Sequence, residues 1–327
     1  MEMPDRGRRS GRALRRAAAG ALALLAVASF GLAGPVAAAE VVGPPPSTDG
    51  RALPLFSGCG RPPPAAAPSS IEVDGHRRGL ITVVPASYRP ERPHRLVIAF
   101  HGRTSSNAMA RVYFRLEDAA DQPTIFVYPS GLKRKDGSYS WWERDDPPGA
   151  LRDFRLFDAV VARIASLYCI DRSRIFAVGH SLGAWFVNDL GCARGDVLRA
   201  IGTIAGAMSR AECRGGVAAM LFHNPRDRHV RYRWGLEARD RLRAADGDGE
   251  HAQELSFDGF ACQRYGGASA RNPVLWCPYT KNLGHSGRYY PHHWPDGAAR
   301  AILDFFDSLP GGAGAPKVQP VAGGPPG

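Results

Sequence analysis

The stretch Gly179-His180-Ser181-Leu182-Gly183 decides the fold, because the residues on either side of it favour a strand and then a helix. Residues 174–178 (Arg-Ile-Phe-Ala-Val) form a short apolar run that is typical of a buried strand. Residues 184–190 predict a short helix, which we expect to stop at Gly191. A serine on so sharp a turn holds its hydroxyl above the sheet, and the flanking glycines let the helix pack closely on the strand. Ser181 is therefore the predicted nucleophile.

The same alternation of apolar runs and helical patterns continues along the chain. An antiparallel hairpin is predicted where residues 71–73 and 80–84 flank Asp74-Gly75. Further strands are predicted at residues 96–100, 124–128, 200–204, 218–222 and 274–277, and helices at residues 153–168 and 298–309. The alternation indicates an α/β fold: a mostly parallel sheet with an antiparallel N-terminal hairpin and helices on both faces.

The first 39 residues have the pattern of a signal peptide. Six arginines precede an apolar stretch at residues 17–32, and Ala37-Ala38-Ala39 resembles a cleavage site. A transmembrane anchor is the alternative, but the apolar stretch is short for a bilayer span. We expect a secreted protein, extracellular or periplasmic, with no membrane contact after cleavage. Its predicted parts are a Pro-rich linker at 40–56, a single domain at 57–309 and a disordered Pro/Gly-rich tail at 310–327.

Composition narrows the functional classes. Loss of residues 1–39 would lower the net charge by 4, from +11 to +7, which leaves a basic protein. The arginines are scattered along the sequence, so we predict no nucleic-acid partner. No Cys or His cluster has zinc spacing, so we predict no metal site and no cofactor.

Six cysteines in an exported chain predict up to three disulfides. Cys262 and Cys277 bracket one loop-and-strand unit and are the favoured pair. Cys169, Cys192 and Cys213 surround the serine turn, and a bridge among them would brace it. The sequence alone leaves their partners open.

A nucleophilic serine needs a base and an acid, which in this architecture follow it in the order acid, then histidine. Asp227 lies in the loop after the strand at 218–222, so it would face the same crevice as Ser181. The histidine belongs just before the closing helix, where His292 and His293 are both candidates and His285 is a third.

An oxyanion hole should use the backbone N–H of Leu182 and one from the loop after the strand at 96–100. In that loop Gly102 allows the turn, Arg103 is the favoured donor, and His101 is expected to shape the loop through hydrogen bonds. The candidate substrate contacts are Trp142, Trp294 and His180.

Over most of residues 57–308 the sequence resembles the exported esterases of the polyhydroxybutyrate depolymerase and feruloyl esterase type. These are α/β-hydrolases similar to carbohydrate esterase family 1. The matching segments are Ser57-Gly58-Cys59-Gly60, residues 96–102, Trp142 ahead of Arg152-Asp153, residues 168–181, Ala205-Gly206, the Asp227 loop and His292-His293-Trp294-Pro295. The family motif is histidine, one variable residue, then Trp-Pro. The resemblance therefore implies His292 as the base and strengthens Asp227 as the acid.

The resemblance implies a secreted serine esterase with a Ser-His-Asp acyl-enzyme mechanism. Its expected substrates are feruloyl or acetyl esters of plant polysaccharide, or hydroxyalkanoate oligomers, and the substrate could be polymeric. The chain departs from the family pattern at Leu182-Gly183-Ala184 and at Arg103, which leaves the acyl group open. The alternatives are a non-catalytic exported binding protein on a hydrolase scaffold, and a thioesterase or peptidase that uses the same triad.

Overall fold

The strand that leads to Ser181 lies in the middle of a large mixed sheet. The computed structural model describes residues 58–141, 151–209, 213, 215–280 and 288–310. The predicted signal peptide and linker lie outside these residues, as do Trp142, His285 and all but one residue of the predicted tail. The described strands are β1 (Ser70–Val73), β2 (His76–Val83), β3 (His94–Phe100), β4 (Thr124–Pro129), β5 (Leu132–Lys133), β6 (Tyr139–Ser140), β7 (Ile170–His180), β8 (Ala200–Ile204), β9 (Ala218–His223), β10 (Gln253–Phe257), β11 (Phe260–Tyr265) and β12 (Val274–Pro278).

Ten of these strands form one sheet in the order β1-β2-β4-β3-β7-β8-β9-β12-β11-β10, and β5 pairs with β6 separately. The central strands from β4 to β12 run parallel, whereas the strands at both edges are antiparallel. Strands β3, β4, β8 and β9 are buried along their whole length, which explains their continuous apolar sequences. Parallel strands end at the same edge, so the loops after β3, β7, β9 and β12 meet there.

Helices cover both faces of the sheet, as the sequence predicts. The described helices are α1 (Asn107–Phe114), α2 (Leu116–Ala119), α3 (Arg152–Leu167), α4 (Leu182–Ala193), α5 (Tyr232–Ala245) and α6 (Ala298–Ser308). Helices α3, α4 and α5 contribute to one buried apolar cluster, and α1, α2 and α6 contribute to a second. The sheet separates the two clusters, so α1 and α4 approach Ser181 from opposite faces. No helix among the described residues is long and apolar enough to cross a membrane.

The fold differs from the sequence expectations in three places. The pair β10 and β11 extends the sheet beyond β12, and the sequence predicts neither of these two strands. Strand β7 begins at Ile170, before the predicted start. The predicted helix stop at Gly191 is wrong, because α4 continues through it to Ala193. A Cβ at Gly191 would lie 3.0 Å from side-chain atoms of Ile201 and Val217, so this glycine serves close packing.

Three disulfides join the described cysteines, and the favoured pair Cys262–Cys277 is confirmed. This bridge links the neighbouring strands β11 and β12. Cys192–Cys213 joins the last turn of α4 to the segment before β9, so one bridge does brace the helix behind Ser181. Cys169 pairs with Cys59 and fixes the start of the described chain near the beginning of β7.

One buried carboxyl group makes stability depend on pH. Burial, together with the nearby Asp248, raises the pKa of Asp246 to about 7. One carboxyl oxygen of Asp246 accepts a hydrogen bond from Asn272 at 3.0 Å, and the other is buried without a hydrogen-bond partner. The folded state therefore favours the protonated form, and its stability falls as pH rises from about 4 to about 7.

We expect Asp246→Asn to remove this pH dependence, because an amide does not ionise. The difference in melting temperature between the variant and the wild type should become more positive between pH 5 and pH 8. Glu72→Gln, which neutralises an exposed carboxylate on β1, is the control and should show no such trend. Parallel pH profiles for Asp246→Asn and the wild type would contradict the assignment.

Candidate active site

Ser181 lies at a strained turn between β7 and α4. Its backbone angles are φ 57° and ψ −122°, a region that residues other than glycine rarely adopt. Two glycines make the turn possible. A Cβ at Gly179 would come within 2.5 Å of the Gly183 backbone, and a Cβ at Gly183 would come within 2.1 Å of the Phe100 carbonyl oxygen. The strand, the turn and the helix thus pack closely, as the sequence predicts.

Ser181, Asp227 and His292 come together at the carboxyl edge of the sheet. His292 Nδ1 lies 2.7 Å from Asp227 Oδ2, and His292 Nε2 lies 2.8 Å from Ser181 Oγ. With the imidazole proton on Nδ1, His292 donates to Asp227 and accepts the hydroxyl proton of Ser181. This arrangement can move a proton from the serine to the histidine.

The environment of Asp227 keeps its carboxylate ionised. Burial alone would raise the pKa, but the hydrogen bond with His292 and bonds from two backbone N–H groups outweigh it and hold the pKa below its usual value. Those backbone donors are His229 at 2.8 Å and Val230 at 3.0 Å, both to Oδ1. The other oxygen remains directed at His292, so Asp227 fixes its tautomer and can stabilise its charged form.

Polar groups from three elements hold the backbone that carries His292. His180 Nε2 lies 3.1 Å from the carbonyl oxygen of His292, to which it donates. The Tyr279 hydroxyl, which follows β12, donates to the carbonyl of His293 at 2.8 Å. From α1, the Tyr113 hydroxyl accepts the Trp294 N–H at 2.7 Å. Three consecutive backbone positions are therefore fixed.

Tyr113 also separates the two adjacent histidines. Its hydroxyl lies 2.5 Å from His293 Nδ1, so His293 faces α1 while His292 faces Ser181. Burial raises the pKa of Tyr113 to about 12, so the phenol stays neutral and can donate to His293. Sequence reasoning did not single out Tyr113 or Tyr279, because neither belongs to a local motif.

Two further histidines are held neutral by burial. Burial lowers the pKa of His180 to about 3, with the neighbouring His292 adding to the effect. Burial also lowers the pKa of His101 to about 4. His101 Nε2 accepts the Gly131 N–H at 2.9 Å, and His101 Nδ1 donates to the Gly102 carbonyl at 2.7 Å. His101 therefore shapes its loop through hydrogen bonds.

The loop after β3 lies directly beside Ser181. A Cβ at Gly102 would be 3.3 Å from Ser181 Cβ, so a side chain there would crowd Ser181. Trp141 Nε1 donates to the His101 carbonyl at 2.6 Å and fixes the other side of the loop. This loop also places Arg103 in the lining of the same cleft as Ser181.

A cleft of about 870 Å³ opens at Ser181. One wall is the apolar side of α1, including Ala108, Met109 and Val112, and Tyr290 also lines the cleft. Val112 is 77% exposed, Met109 60% and Tyr290 42%, so the cleft exposes several hydrophobic side chains to solvent. This surface suits an apolar or aromatic substrate group.

The three predicted substrate contacts do not all lie in the cleft. His180 lines the cleft. Trp294 does not: it is 5% exposed and stacks on Phe114, with ring centroids 4.2 Å apart, so its indole packs in the core instead of the cleft. Trp142 lies outside the described residues. Within the described ranges, no group of three or more His, Cys, Asp or Glu residues is arranged to hold a metal ion.

Comparison with known proteins identifies related enzymes. The chain is 25% identical over 276 residues to feruloyl esterase D of Neurospora crassa. The alignment covers 76% of this chain and 89% of that protein. It is 26% identical over 194 residues to a probable feruloyl esterase C of Aspergillus niger. That alignment covers 57% of this chain and 67% of that protein. No protein-family model matches the chain.

The fold is that of the α/β-hydrolase esterases. The structure of an acetyl xylan esterase from Aspergillus awamori matches with a TM-score of 0.51 at 13% identity. That match covers 70% of this chain and 94% of the other. The predicted fold class is therefore confirmed.

We expect Tyr113→Phe to impair turnover through the histidine backbone. The substitution leaves the Trp294 N–H and His293 without their shared partner, at a cost of about 1–3 kcal/mol. For p-nitrophenyl acetate, kcat should fall about tenfold, while KM changes less than about twofold. Tyr265→Phe removes a hydroxyl that contacts Gln263 on β11 and is the matched control. A lower melting temperature with unchanged kcat would show that Tyr113 has only a structural role.

Proposed function

We propose that this chain, a carboxylic ester hydrolase of the feruloyl esterase-like α/β-hydrolase type, forms an acyl-enzyme on Ser181. The observation that carries the proposal is the pair of hydrogen bonds that joins Ser181, His292 and Asp227. Ser181 attacks the ester carbonyl while His292 takes its proton. Asp227 holds the imidazole and stabilises its charged form.

Two backbone N–H groups bind the oxyanion that develops on the carbonyl. We assign them to Leu182, the first residue of α4, and to Arg103, beside Gly102. The short distance between Gly102 and Ser181 supports this assignment, because both donors must reach the same oxygen. His292 then returns its proton to the leaving alcohol. A water molecule, activated by the same histidine, releases the acid and restores Ser181.

The substrate class we propose is a feruloyl ester of a plant polysaccharide. Two feruloyl esterases are among the similar proteins, one of them aligned over 89% of its length. The apolar wall of α1 and the ring of Tyr290 support an aromatic acyl group, which would lie between them. We also propose export, which the three disulfides support because such bonds persist in oxidising compartments.

Ser181→Ala, Asp227→Asn and His292→Ala should each lower kcat/KM for p-nitrophenyl acetate, by at least about 10⁴-fold for Ser181→Ala and His292→Ala. His293→Ala is the matched control and should keep at least a tenth of the activity, because His293 faces Tyr113. A greater loss of activity in His293→Ala than in His292→Ala would make His293 the base. A wild-type protein that is inert and unlabelled by a fluorophosphonate would refute the mechanism.

Val112→Asp should raise KM for methyl ferulate about tenfold, because it places a charge on the apolar wall that contacts the aromatic acyl group. Val112 is mostly exposed, so the fold should tolerate the change. Leu151→Asp alters another exposed apolar residue, which is not part of the cleft lining, and is the control. An unchanged KM in Val112→Asp would show that the acyl group does not contact the α1 wall. Cleavage of 3-hydroxybutyrate oligomers without cleavage of methyl ferulate would show that hydroxyalkanoate esters, and not feruloyl esters, are the substrates.

A further inference from the structure

The loop that carries Asp227 also carries a concentrated positive charge. Residues 226–233 include four arginines, at positions 226, 228, 231 and 233, and all four are exposed. The single acidic residue in this segment is Asp227, whose carboxylate is bound to His292. Within the described part of the chain, no ion pair joins these four guanidinium groups to a carboxylate. We call residues 226–233, which run from the loop after β9 into the first turn of α5, the arginine loop.

Two tryptophans lie next to the arginine loop. Trp185 in α4 and Trp234 in α5 are half-buried, with ring centroids 6.1 Å apart. The guanidinium carbons of Arg231 and Arg233 lie 5.7 Å and 6.0 Å from the centre of the Trp234 ring. Stacking on the indole orients an arginine while its N–H groups stay available to an anion. The surface therefore combines flat apolar faces with forked cationic donors.

Two contacts place this surface near Ser181 and His292. The backbone N–H of Trp185, on the first turn of α4, donates to the Ser181 carbonyl at 2.9 Å, and its indole N–H donates to the Ser209 hydroxyl at 2.5 Å. The His229 ring, within the arginine loop, is centred 5.0 Å from the ring of His292. One residue of the loop therefore lies next to His292, which lines the cleft.

The helices that carry the two tryptophans and the helix that carries the apolar wall lie on opposite faces of the sheet. Helix α1, which carries the wall, packs on one face of the sheet, whereas α4 and α5, which carry the two tryptophans, pack on the other. An ester has two sides, the acyl group and the alcohol. If the acyl group lies along α1, the alcohol lies towards Trp185 and Trp234.

We propose that the arginine loop, together with Trp185 and Trp234, is a subsite for the alcohol portion of the substrate, and that this portion is a glycan chain bearing carboxylate groups. The carbon-bound hydrogens of a pyranose ring would pack on the indoles. The guanidinium groups of Arg231 and Arg233 would bind uronate carboxylates in bidentate fashion. The proposal rests on the proposed function in one respect, that the ester is attached to a polysaccharide.

Binding can be tested without turnover in the Ser181→Ala protein. Titration calorimetry at low salt should show at least tenfold tighter binding of soluble glucuronoxylan than of neutral arabinoxylan. Addition of Arg231→Gln and Arg233→Gln should remove this preference, and Trp234→Ala should weaken both glycans about tenfold. Arg77→Gln with Arg163→Gln, which removes the same charge from exposed positions outside the cleft lining, is the matched control and should bind as the parent does.

Three results would overturn the subsite: equal affinity for the two glycans, an unchanged preference in the double arginine variant, or equally tight binding of a single-stranded oligonucleotide. The last would indicate general attraction of polyanions. Melting temperatures within about 2 °C of the parent would show that these substitutions leave the fold intact. Because Ser181→Ala cannot turn over, inactivity of the wild type on methyl ferulate would refute the proposed function and leave the binding result standing.

Discussion

The site depends on one close approach between a helix and the end of a neighbouring strand. Gly183 lies so near the Phe100 carbonyl that a Cβ there would be 2.1 Å from the oxygen. This approach brings the first turn of α4 against the end of β3. Ser181 and the loop at His101 then share one cleft edge, although they are 80 residues apart in sequence. The positive φ of Ser181 is the backbone cost of this arrangement.

The histidine side of the site is organised differently. The segment around His292 is fixed by side chains from three separate elements, each bound to a different backbone position. His180 immediately precedes Ser181, so the serine turn and the His292 segment are linked through a backbone contact as well as through the Ser181 and His292 side chains. Because burial lowers the pKa of His180, its ring is neutral while it donates to this carbonyl.

Much of this arrangement could be predicted from the sequence where its cause is local. The apolar run before Ser181 and the order of the loops are local or topological signals, and they indicated Ser181 and Asp227. The residue patterns did not distinguish His292 from His293 as the base, and a family motif was needed to choose between them. Tyr113 could not be found, because its contact with His293 spans 180 residues of sequence. The continuation of α4 past Gly191 likewise depends on Ile201 and Val217, which only the folded sheet brings near.

The backbone angle at Ser181 also limits which amino acids could replace it in the nucleophilic role that we propose. A β-branched residue at φ 57° would place its second substituent against the adjacent peptide, so threonine is excluded at this position although it carries a hydroxyl. Cysteine has a single heavy atom on its Cβ and would fit. The sharp turn therefore restricts the evolutionary repertoire of nucleophiles at this position to unbranched side chains, independently of their chemical reactivity.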